Sequence, residues 1–125
     1  MKQETPLHRV QGLGAAHSGT GHFWHQRMTA VALVLLGGWF AVVMLGLVGA
    51  SEASLVGFLA RPWNAILMAA FVIVLLYHMM LGLQVVIDDY AHAPGAKIFL
   101  MLLMRAFAIA IGAASLFALI HIAAL

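Results

Sequence analysis

The chain contains no cysteine. That absence excludes disulfides, thiolate metal sites, iron–sulfur ligation and covalent haem attachment through a Cys-x-x-Cys-His motif. Charge is nearly as scarce: 8% of the 125 residues are Asp, Glu, Lys or Arg, where a soluble domain carries about a quarter. With 65% hydrophobic residues, too little polar surface remains to cover a globule, so lipid must do the covering. Six basic residues without a basic run, at a net charge of +2, give nucleic acid no electrostatic footprint. There is also no Gly-rich dinucleotide fingerprint. What is over-supplied is histidine, seven against four acids. Neutral imidazole is therefore the common metal ligand left in quantity.

Three stretches are uncharged or nearly so: residues 28–51, 62–87, and 98–125 with Arg105 inside it. Each reaches the roughly 20 residues that a helix needs to cross about 30 Å of hydrocarbon. Lipid cannot satisfy backbone groups, so these are helices rather than strands. Gly49-Ala50-Ser51-Glu52 closes the first, and Pro62 opens the second where its missing N–H costs nothing. Asp88-Asp89 and Ala93-Pro94-Gly95 separate the second from the third. The expected chain is thus one all-α integral membrane domain over residues 1–125. It has an arm at 1–27 and helices at about 28–50, 63–89 and 97–124. The arm is polar and the apolar run after it too long for a signal peptide. Lys2, Arg9, Arg27, Lys97 and Arg105 gather on one side, against Arg61 on the other. The positive-inside rule makes the N-terminus and the arm cytoplasmic.

An ionisable group at membrane depth is costly and is a functional candidate by default. His78 is the deepest, ten residues or about 15 Å before Asp88. It reads either as a histidine hydrogen-bonded to a neighbouring helix or as a metal or haem ligand. At 100° per residue, Gly82, Val85 and Asp89 share its helical stripe. Gly82 would let a flat macrocycle approach, or equally another helix. His121 stands near the outer end of the third helix, so a second axial histidine would come from another subunit. Arg27 is either an interfacial anchor beside Trp24 or a bidentate partner for a carboxylate such as a haem propionate. Tyr90 reads as an aromatic-belt residue, or, beside Asp89, as a hydrogen-bond donor to a quinone carbonyl with the acid relaying protons.

His78-x3-Gly82-x-Gln84-x4-Asp89-Tyr90 resembles the haem-ligand and quinone-site stretch of the hydrophobic membrane-anchor subunits of succinate dehydrogenase, respiratory complex II. Ser18-Gly19-Thr20-Gly21-His22-Phe23-Trp24-x2-Arg27-x-Thr29-Ala30 is similar to that family's entry into its first helix. Together with length and three-helix topology, the resemblance covers essentially the whole chain.

The resemblance implies one of a pair of anchors in a bacterial inner membrane, packed with a second anchor subunit around a shared b-type haem. It also implies an iron–sulfur subunit and a flavoprotein subunit as partners. By position, His78 is the axial ligand to the haem iron, opposed by a histidine of the second anchor. Gly82 packs beside the haem, and Arg27 lies near the propionates and the quinone pocket. Tyr90 donates to the quinone, with Asp89 adjacent. The doubled acid leaves open whether Asp88 or Asp89 matters, though the spacing to Tyr90 favours Asp89, and His92 and Lys97 receive no role. The other readings of the chain are a quinol:fumarate reductase anchor, a small proton-coupled transporter using His78 and Asp89, and a haem-free structural subunit.

Overall fold

A computed structural model describes residues 6–7 and 17–124. Lys2 and Arg9, which entered the orientation argument, lie outside the described residues, as does most of the expected arm. Four helices are described in full, in order: α1 (His17–Gly46), α2 (Glu52–Leu59), α3 (Pro62–Tyr90) and α4 (Pro94–Ala123). Three of them carry segments long and apolar enough to cross a membrane: Thr20–Gly46, Pro62–Tyr90 and Pro94–Ala123. The fold is all-α with three membrane-length helices.

Local chemistry sets the boundaries. Proline begins both α3 and α4 in their first turn, where its fixed φ suits helix entry. Gly49 adopts φ +78° after α1, a left-handed conformation that only glycine takes without steric cost. Ser51 caps α2 by accepting the Ser54 N–H at 3.3 Å. Asn64 then donates from its side chain to the Phe58 carbonyl at 2.8 Å, tying the end of α2 to the start of α3.

Two boundaries depart from the hydropathy reading. α1 begins at His17, well before Met28, because His22, His25, Gln26 and Arg27 interrupt apolarity but not helix formation. The segment after Ser51 forms the short helix α2 rather than an irregular turn.

The helix α3 lies between α1 and α4, and no contact joins α1 to α4 among the described residues. Phe40 of α1 stacks on Phe71 of α3 with ring centroids 4.7 Å apart. On the other side, Met104, Ala108 and Leu119 of α4 are buried, and Leu81 is the buried residue of α3. Gly112 admits Leu76 closely, since a Cβ there would stand 3.2 Å from its Cδ1. Elsewhere large apolar side chains such as Val34, Leu45 and Phe117 are exposed. A row of three helices with so little buried surface needs lipid or a partner on both faces.

Candidate cofactor site between α1 and α3

The candidate site begins with helix register. Thr29 stands twelve residues in from His17, and His78 twelve residues back from Tyr90. Their side chains meet across the antiparallel pair, with Thr29 Oγ1 2.8 Å from His78 Nδ1. The two helices therefore end at about the same level, some 18 Å from this contact. The Thr29 hydroxyl also lies 2.7 Å from the His25 carbonyl and 3.1 Å from that of Gln26, one turn back. A second interhelical bond lies alongside, between the Tyr77 hydroxyl and His25 Nδ1 at 2.8 Å.

His78 opens into a groove of about 270 Å³ that it lines with Phe23, Gln26, Arg27 and Ala30. Helices α1 and α3 make its walls, and α4 contributes nothing to it. The Arg27 guanidinium sits over the Phe23 ring, 5.2 Å from its centroid, a cation–π contact that holds it at the groove. Arg27 stands about 3 Å of helix rise from Thr29, close to the level of His78. It is ten residues inside α1, not at the helix mouth, because α1 starts earlier than its hydropathy suggests.

The donor set fits a flat, anionic cofactor of the haem type. His78 Nδ1 is engaged by Thr29, while Nε2 has no hydrogen-bond partner among the described residues. A guanidinium suited to carboxylates shares the groove. Gly82, one turn from His78 toward Tyr90, is open: a Cβ built there meets nothing within 4 Å. Gly82 is thus not a close contact point between helices of this chain. No group of three or more metal-ligating side chains converges among the described residues, and a haem asks only one imidazole of each side. A larger groove of about 440 Å³ between α3 and α4 is lined by Met79, Leu83, Ile87, Leu100, Leu103, Met104 and Phe107. It offers no polar side chain to orient a ligand.

The other expected residues fall at the far ends of this frame. Tyr90 is the last residue of α3 and is 79% exposed. Its carbonyl accepts a hydrogen bond from His92 Nδ1 at 2.9 Å. Asp88 forms an ion pair with Lys97 across the α3–α4 turn. Asp89 is exposed and has no ion pair among the described residues. Lys97 and His92 therefore serve the turn. Arg105 is exposed on α4, and His121 stacks on Phe117 in its last turn, remote from His78.

Sequence reasoning overlooked Thr29, His25 and Tyr77 as partners of the site. The His25-x3-Thr29 spacing puts both on one face of α1, but which residues of α3 they meet depends on helix pairing.

Residues 1–123 match the family model described as "Succinate dehydrogenase/Fumarate reductase transmembrane subunit". The chain is 40% identical over 90 residues to a succinate dehydrogenase hydrophobic membrane anchor subunit from Paracoccus denitrificans, covering 72% of this chain and 70% of the relative. It is 36% identical over 101 residues to the protein of the same description from Rickettsia bellii (strain RML369-C), covering 81% of each. No solved structure gives a significant match.

Proposed function

The chain belongs to the succinate dehydrogenase/fumarate reductase transmembrane-subunit family, and from that premise we propose that it anchors a succinate:quinone oxidoreductase and contributes a haem b ligand and part of the quinone site. The names of its relatives favour succinate oxidation as the working direction over fumarate reduction. Its partners are a flavoprotein subunit, an iron–sulfur subunit and a second anchor subunit in the bilayer of a bacterial inner membrane. The chain is a component of that enzyme. The Tyr90 end of α3 faces the cytoplasm, in keeping with Lys97 in the adjoining turn.

The observation that carries this reading is the pairing of an imidazole and a guanidinium in one groove that faces away from α4. His78 would hold a haem through Nε2, with a histidine of the second anchor as its other protein ligand. Arg27 pairs with a propionate, and Gly82 leaves room beside the macrocycle. When bound, the haem supplies a one-electron store within the membrane.

At the other end of the same helix, the Tyr90 phenol donates a hydrogen bond to a quinone carbonyl. Reduction to quinol takes two electrons, delivered from the iron–sulfur subunit, and two protons from the aqueous side. Asp89, next to Tyr90 and free of the Lys97 pair, is the carboxylate placed to relay protons. Asp88 is held by Lys97 and has no part in that path.

Purification of a tagged chain from its own membranes tests the proposal. Co-purification of a flavoprotein and an iron–sulfur protein, with a low-spin b-type spectrum, is the expected result. A chain that purifies alone or as a homo-oligomer, without haem, would point to a transporter and overturn the assignment.

A further inference from the structure

The contact between Thr29 and His78 carries more than a tether. A threonine hydroxyl has one hydrogen and can donate only once. The His25 carbonyl, 2.7 Å from Thr29 Oγ1, can only accept. Were the hydroxyl to donate to His78 instead, two oxygens would face each other at that distance with no proton between them. At membrane depth no bulk water is at hand to relieve that repulsion. The hydroxyl hydrogen therefore lies on the His25 carbonyl, and the 2.8 Å contact with His78 Nδ1 needs the imidazole to donate. A neutral imidazole has one N–H, so Nε2 is left with its lone pair.

We propose that Thr29 is a positioning residue that holds His78 as the Nδ1–H tautomer, fixes its ring plane, and leaves Nε2 as its one ligating atom. The inference rests on the reading of His78 as a haem ligand. The relay runs His78 Nδ1–H to Thr29 Oγ1, then Thr29 O–H to the His25 carbonyl, across the α1–α3 pair. The bond between Tyr77 and His25 Nδ1 joins the same two helices but engages the His25 ring, not its carbonyl, and lies outside this relay. Such outer partners of a ligating histidine orient the ring and raise its basicity, and their loss typically weakens metal binding by about 10- to 100-fold. A more basic imidazole favours the ferric state, so removing its acceptor shifts the haem midpoint potential upward.

The test uses the assembled complex with Thr29→Val, Thr29→Ser, Tyr77→Phe and His78→Ala. Thr29→Val is expected to raise the haem potential, alter the low-spin electron paramagnetic resonance signal and weaken haem retention by about 10- to 100-fold. Thr29→Ser, which keeps the hydroxyl, restores the parental values. Tyr77→Phe removes the neighbouring interhelical bond and leaves the potential near parental. Should Thr29→Val not assemble, Thr29→Ala takes its place with the same expectation. A parental potential and signal in the hydroxyl-lacking variant would overturn the inference while His78→Ala still loses the haem. An equal shift in Tyr77→Phe would reduce Thr29 to a tether and overturn it likewise. An unchanged haem spectrum in His78→Ala would instead remove the ligand reading itself.

Discussion

Arg27 and His78 line one groove between α1 and α3, brought to nearly the same level by the Thr29–His78 contact. On the proposed function, a guanidinium at that level would pair with the carboxylates of a haem held by the imidazole. Arg27→Gln removes the charge-assisted pair, of the class worth about 1.5–3 kcal/mol, and is expected to weaken haem retention by about tenfold or more. Arg27→Lys keeps the charge but not the planar fork, so it should restore retention only in part. Haem-to-protein ratios in the purified complex measure both.

Gly82 separates two uses of a small residue. No atom lies within 4 Å of a Cβ built there, so Gly82→Ala meets no clash within the chain. Assembly of the complex should survive while haem content falls. Failed assembly with loss of all subunits would mark Gly82 as a contact for a partner helix instead.

Asp88 and Asp89 are adjacent but differently committed. The Asp88–Lys97 pair is 40% and 41% exposed, and such pairs contribute about 0–1 kcal/mol. Asp88→Asn and Lys97→Met should therefore change thermal stability little and leave quinone reduction intact. Asp89→Asn is expected to slow quinone reduction, read as turnover with a soluble quinone analogue. Equal activities in the two Asn variants would contradict the assignment of Asp89.

Tyr90 is exposed at the end of α3, so loss of its hydroxyl leaves packing untouched. One hydrogen bond is worth about 1 kcal/mol, which corresponds to roughly a several-fold to tenfold fall in rate. Tyr90→Phe should slow quinone reduction by that factor while succinate oxidation with an artificial acceptor remains at the parental rate. Equal loss of both activities would make Tyr90 structural only.

The membrane spans were legible because they depend on composition alone: residues 62–87 hold no charge, and α3 duly spans Pro62–Tyr90. The start of α1 was not, since hydropathy marks where lipid begins and not where the backbone becomes helical. Helix periodicity was enough to put His78, Gly82 and Asp89 on one stripe of α3. The partners of His78 lay beyond it, because Thr29 is 49 residues away in sequence and only the register of α1 against α3 brings them together. Spacing to Tyr90 favours Asp89 over Asp88, but the ion pairing of the doubled acid was not legible, for a related reason. Which carboxylate meets Lys97 depends on the path of the α3–α4 turn, and that path hands Asp88 to the lysine.

The haem assignment of His78 is tested most directly by one spectrum. The reduced-minus-oxidised difference spectrum of the co-purified complex should lose or markedly alter its low-spin b-type signal in His78→Ala. An unchanged spectrum in that variant, with the complex intact, would contradict the assignment.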